Sequence, residues 1–272
     1  MTGSARPGAY GDTMTKQANV SPDESQSMND PMNNPKAEAL EGKVTLITGA
    51  SRGIGLAIAE SLSRMGAHVA LCARDEKRLQ AVVGEFERDG RRAIAVAADV
   101  SRASDISAAV RKTEQELGPI EILINNAGIG YFASVQEASE EKWDAVLDTN
   151  LKSVFLLSKA VAPGMIERRS GHIINIASMA GKSAFAGGSI YCASKWGLLG
   201  LTQCMAEDLR PHGIRVSAVC PGSVNTDFSP HTGKDPRKML QPADVAHAVE
   251  TIVTQEPQSF ISEILLRPTQ KP

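Results

Sequence analysis

Apolar residues fall in short runs across residues 42–266, and amphipathic stretches separate the runs. The runs KVTLIT (43–48), HVALCA (68–73), RAIAVAA (92–98), EILIN (121–125), HIINIA (172–177), IRVSAVC (214–220) and FISEILL (260–266) have strand length. Most are apolar on both faces rather than alternating, the pattern of strands buried in a parallel sheet. The stretches between them have helical spacing. Helices are predicted at 53–66, 75–90 (N-capped by Asp75 and closed by Gly90), 103–117, 139–169, 189–211 and 242–254. Pro163-Gly164 is expected to kink or interrupt the fourth. Residues 221–240 read as a polar loop.

Strand and helix alternate with short connections, which predicts an α/β fold. It is a single doubly wound parallel sheet of about seven strands with helices on both faces. No shift of composition interrupts residues 41–272, so they read as one catalytic-size domain. Residues 1–40 differ. They are rich in Pro, Gly, Ser, Asn and Asp and poor in large apolar residues, and read as a disordered tail. The tail has no apolar signal-peptide core, and its acids argue against a transit peptide. A cytoplasmic protein is expected.

Charge narrows the partners. There are 31 acidic and 29 basic residues, a net charge of −2, which gives no reason to expect nucleic acid as a ligand. No apolar run reaches the roughly 18 residues of a membrane helix. The four cysteines lack CxxC spacing and the five histidines are scattered, so neither a disulfide framework nor a metal site is expected.

The first strand runs into TGASRGIG (48–55), with Gly49, Gly53 and Gly55 between strand and helix and Ser51, Arg52 and Ile54 among them. Glycine permits a tight turn and close backbone approach, and a helix N-terminus offers N–H groups to a phosphate. This is the phosphate cradle of a Rossmann-type fold, although the glycine spacing is not the usual G-x-G-x-x-G. The second strand ends at Ala73, followed by Arg74. An acid there suits the ribose of NAD, whereas arginine suits the 2′-phosphate of NADP. Arg74 and Arg52 therefore favour NADP(H), and Asp75 is assigned to capping the next helix.

Seven pieces in order resemble the short-chain dehydrogenases/reductases, over roughly residues 42–267. They are TGASRGIG, Asp99-Val100, NNAG (125–128), Asn150, Ser178, Tyr191-Cys-Ala-Ser-Lys195 and PGSVNT (221–226). The resemblance implies Tyr191 as general acid/base on the substrate oxygen and Lys195 as its partner and a ribose ligand. It also implies Ser178 orienting the oxygen and Asn150 completing a proton relay. Asp99, Val100, Asn126, Ala127 and Gly128 are expected along the adenosine, and Pro221, Gly222, Val224 and Thr226 along the nicotinamide. Tyr191 and Lys195, four apart, share one helix face. A cation about 4 Å from the phenol contributes roughly 4 kcal/mol at an effective dielectric near 20. That is about three pKa units, so a phenol near 7 is expected.

The implied function is transfer of hydride between NADP(H) and a small carbonyl or secondary alcohol. Two alternatives stay open: a 3-oxoacyl-acyl-carrier-protein reductase, and a non-catalytic NADP-binding sensor or scaffold. The short segment after Thr226, where the family carries its substrate lid, suggests an open site or a modest substrate. The ending FISEILLRPTQKP lacks the family's frequent glycine-rich close and looks more like the branch that reduces small carbonyls or oxidises 3-hydroxy acids and hydroxy amino acids. A homodimer or homotetramer is implied, with Val154, Phe155, Trp196, Leu198 and Leu201 as candidates for its interface.

Overall fold

In the computed structural model, seven parallel strands form one sheet in the order β3-β2-β1-β4-β5-β6-β7. The structure describes residues 1–3, 39–228, 233 and 235–272, so the expected tail lies almost wholly outside the described residues. In chain order the elements are β1 (Val44–Thr48), α1 (Gly53–Arg64), β2 (His68–Ala73), α2 (Glu76–Arg88), β3 (Ala93–Ala97), α3 (Ala103–Glu116) and β4 (Ile120–Asn125). Then come α4 (Glu140–Leu147), α5 (Ser153–Arg168), β5 (Gly171–Ile176), α6 (Ser189–Leu209), β6 (Ile214–Pro221), α7 (Pro242–Val253) and β7 (Glu263–Leu266). Ala37–Pro272 is one compact unit.

The strands are apolar on both faces because each face is covered. One core layer joins the sheet to α3, α5 and α6 through residues such as Leu123, Leu157 and Leu198. The other joins it to α1, α2 and α7 through Ile58, Leu79 and Val249. Strand order reverses between β1 and β4, which opens a crevice beyond their C-terminal ends.

Asp75 caps α2 as expected, accepting from the Arg78 amide at 3.1 Å. Of the kink or interruption expected at Pro163, the interruption does not occur. Pro163 lies inside an uninterrupted α5. Pro163 and Lys159, whose carbonyl loses its helical partner, are both exposed, so solvent can satisfy that group. The interruption falls earlier, where Asp148–Lys152 forms one π-helical turn between α4 and α5. Such turns are frequent at functional sites.

Candidate active site

A cleft of about 1450 Å³ opens at the strand-order reversal. Its wall includes every sequence-predicted site residue except Gly55 and Asn150.

The glycine turn forms one end. Gly49 has φ +66°, and a Cβ there would stand 2.8 Å from Asn126 Nδ2. A Cβ on Gly55 would stand 2.4 Å from the Gly49 carbonyl, so Gly55 shapes the cradle from behind. α1 starts at Gly53 without a side-chain cap. Its first N–H groups, with the positive end of the helix dipole, suit a phosphate. The turn is sewn to the end of β4. Asn126 Nδ2 donates to the Thr48 carbonyl at 2.8 Å and to that of Gly49 at 3.3 Å. Thr48 Oγ1 accepts the Asn126 and Ala127 amides, each at 3.0 Å. Asn126 therefore builds the cradle as well as lining it.

Arg52 and Arg74 both line this end. Arg52 Nη1 lies 3.5 Å from Asp227 Oδ2 in an exposed pair. Exposed pairs contribute little, which leaves the guanidinium available. A third guanidinium, Arg78, was missed on sequence. It lines the cleft and donates through Nε to the Ser51 carbonyl at 2.9 Å. Its position in the first turn of the helix that follows Arg74 is the signal that could have found it. Asp99 accepts from the Ser101 amide at 3.0 Å and its hydroxyl at 2.8 Å. These bonds, with Arg74 and Arg102 nearby, hold its carboxyl below the usual range.

The other end holds Ser178, Tyr191 and Lys195. Ser178 follows β5 and caps a short turn, its Oγ accepting from the Ala180 amide at 3.1 Å. Gly181 closes this turn against α6, where a Cβ would stand 2.8 Å from the Lys195 carbonyl. The Ser178 hydroxyl is close enough to the Tyr191 phenol to pull its pKa down against burial. Lys195 Nζ donates to the Ile176 carbonyl at 2.9 Å and stands 5.9 Å from the Tyr191 ring centroid.

The expected phenol near 7 is not what this site holds. Burial pushes Tyr191 up to about 12, and the Ser178 hydroxyl offsets only part of that. Burial also takes Lys195 down to about 8. Desolvation disfavours the charged form of each. Tyr191 is therefore protonated at neutral pH, the form in which it can donate.

Asn150 sits in the π-turn behind the cleft wall. Its Oδ1 accepts from the Ile129 amide at 2.8 Å. Its Nδ2 donates to the Ile129 carbonyl at 2.9 Å and to Ser194 Oγ at 3.1 Å. Both amide hydrogens are committed, so any part Asn150 plays in proton transfer falls to its backbone. Val224 pairs with Leu240 through its neighbours. The Leu240 amide donates to Ser223, and the Asn225 amide to Leu240. That turns Val224's own amide and carbonyl away from Leu240, and Val224 lines the cleft. The C-terminal strand supports this wall, since Gly222 N donates to the Leu266 carbonyl at 2.8 Å.

A doubly wound parallel sheet with a glycine turn at its reversal point, and buried Tyr191 and Lys195 beside a half-buried Ser178 in the same cleft, define a Rossmann-type protein. The chain belongs to the short-chain dehydrogenase family, whose pattern it matches over residues 43–237. It is 37% identical over 231 residues to an uncharacterised oxidoreductase of Staphylococcus saprophyticus, covering 84% of this chain and 98% of that protein. It is also 37% identical over 236 residues to a 3-oxoacyl-[acyl-carrier-protein] reductase of Vibrio cholerae, covering 83% and 96%. Among solved structures it resembles a metagenomic short-chain oxidoreductase in complex with NADP. The TM-score is 0.77 and the identity 44%, covering 86% of this chain and 100% of that one. The chain is thus an oxidoreductase of this family. Among the described residues no helix is long and apolar enough to cross a membrane.

Proposed function

We propose that this protein is an NADP(H)-dependent oxidoreductase that interconverts a carbonyl and a secondary alcohol, with Tyr191 as general acid/base. The observation that carries the reading is the placement of Ser178, Tyr191 and Lys195 in the same cleft as the glycine cradle and three arginines. The cradle fits a pyrophosphate, because Gly49 and Gly55 leave no room for side chains where the backbone must approach. Arg52, Arg74 and Arg78 fit a 2′-phosphate, and NADP in the metagenomic relative supports that assignment. When bound, reduced nicotinamide supplies the hydride that the carbonyl carbon accepts, while the oxygen takes a proton.

The chain's own residues do the rest. Ser178 orients the substrate oxygen towards the phenol. Tyr191 donates its proton to that oxygen and is well suited to do so, being held protonated by burial. Lys195 places a cation beside the phenolate that remains. Asn150 holds Ile129, and through Ser194 braces the first turns of α6. Asp99, Val100, Asn126, Ala127 and Gly128 border the adenosine in this reading, and Pro221, Gly222, Val224 and Thr226 the nicotinamide.

Assembly through α5 and α6 as a dimer or tetramer belongs to the same reading. Val154 and Leu198 are buried, whereas Phe155 and Trp196 stand about half exposed on those helices. Cytoplasmic placement draws on the four cysteines, all free thiols. A 3-oxoacyl-acyl-carrier-protein reductase is the second reading, favoured by the Vibrio relative. The test is NADPH consumption by the purified protein against a panel of carbonyls. Turnover of at least one is expected. NADPH binding with no turnover of any would favour a sensor or scaffold instead.

A further inference from the structure

Three phenylalanines from three separate loops gather near Tyr191, two of them against its ring and the third against Phe132. Phe132 follows β4, Phe185 follows β5 and Phe228 follows β6. The Phe132 ring stands edge-on to Tyr191 at 5.4 Å between centroids, and Phe228 approaches from another side at 5.8 Å. Phe185 lies 6.0 Å from Phe132. All three line the cleft, yet they are 41%, 48% and 42% exposed. Clustered apolar side chains that stay open to solvent inside a cleft mark a place for an apolar ligand.

The rings are also held in place. A Cβ on Gly130 would stand 3.0 Å from the Phe132 ring and 3.1 Å from the Phe228 ring. A Cβ on Gly188 would stand 2.7 Å from the Phe185 ring. Each ring thus lies against bare backbone. The Ala133 amide donates to the Gly187 carbonyl at 2.9 Å and joins two of the loops. The shelf is formed before any substrate arrives.

Charge is sparse in these loops. Residues 129–134, 183–188 and 222–228 contain Asp227 as their only ionised side chain and no lysine or arginine. Among the described residues, the other cations of the cleft wall are Arg52, Arg74 and Arg78 from the phosphate end, and Lys195, whose ammonium is held by the Ile176 carbonyl. A substrate carboxylate beside the reacting carbonyl would meet aromatic rings and no described cation of these loops.

We infer that the substrate is a neutral ketone, or the matching secondary alcohol, carrying an aryl or bulky apolar group next to the reacting carbon. That group stacks on the shelf of Phe132, Phe185 and Phe228. The inference rests on the proposed carbonyl-reductase reading and narrows it away from 3-oxo acids.

The experiment compares kcat/KM with NADPH for acetophenone, butanone and acetoacetate, in the wild type and in Phe132→Ala, Phe228→Ala and the milder Phe228→Leu. Acetophenone is expected to lead butanone by about tenfold or more, the usual worth of an extra apolar group in a fitted site. The alanine variants are expected to collapse that ratio, with Phe228→Leu in between. A preference for acetoacetate or butanone in the wild type would overturn the inference and leave the reductase reading standing. So would a ratio unchanged in the alanine variants, because loss of mere structural packing slows all three substrates together. Turnover of none of the three would overturn the inference, and the wider carbonyl panel would then decide the reductase reading.

Discussion

The Lys195 ammonium donates to the Ile176 carbonyl at 2.9 Å, which ties the second turn of α6 to the end of β5. Burial lowers this ammonium from 10.5 to about 8. The unfolded chain therefore binds more protons than the folded one between about pH 8 and 10.5. Stability rises with pH through that window, and the full cost of burying the charge is present below it. Lys195→Met is expected to melt no lower than the wild type at pH 7. Thermal melts from pH 7 to 10 should show the wild type gaining on the variant above pH 8. A variant several degrees less stable at pH 7 would contradict this.

His172 gives the opposite limb. Its Nε2 lies 3.0 Å from Ser217 Oγ, and burial with Arg215 nearby pushes the imidazole down to about 3. The unfolded chain takes up this proton near 6.5, so the stability is complete above that value. It is lost as pH falls towards 3, by up to roughly 1.4 kcal/mol per pH unit. Denaturant melts at pH 4 to 7 should show a shallower acid slope in His172→Gln than in the wild type. Equal slopes would rule out His172 as the group responsible.

Thr48 receives two amides at the seam between the glycine turn and β4. Thr48→Val keeps the shape and orphans both donors. A loss of about 1–3 kcal/mol in unfolding free energy is expected, with weaker NADPH binding. An unchanged midpoint in urea would show that the seam is not held this way.

The arginines make the cofactor prediction. Fluorescence titration is expected to give tighter binding of NADPH than of NADH. Arg74→Ala should lose about tenfold in NADPH affinity, consistent with a charge-assisted contact, and Arg52→Ala a similar amount, while NADH moves less. Equal or better NADH binding by the wild type would overturn the 2′-phosphate assignment.

Much of this was legible in the sequence for identifiable reasons. HVALCA is apolar throughout because both faces of β2 are covered, and its limits as read, 68–73, match the strand. Asp75 declared α2 by its side chain. Gly49, Gly53, Tyr191 and Lys195 are residue types that the chemistry restricts, but it was the order of seven short pieces along the chain, not any one of them, that marked them. The π-turn at Asp148–Lys152 did not, because an Asp-Thr-Asn run reads equally well as an exposed helix turn. Pro163 misled because its cost depends on whether the orphaned carbonyl faces water. The acidity of Tyr191 also depended on the fold. Spacing places Lys195 near the phenol, but only packing shows that both groups are desolvated. The phenylalanine shelf was hidden for a topological reason. Its members lie 53 and 43 residues apart in sequence and meet only because β4, β5 and β6 end side by side.

The most direct test of the account is Tyr191→Phe, assayed for NADPH binding and for carbonyl turnover on the same preparation. The variant is expected to bind NADPH within a few-fold of the wild type and to reduce the carbonyl about 100- to 1000-fold more slowly. Turnover at the wild-type rate would contradict the assignment of Tyr191 as the proton donor.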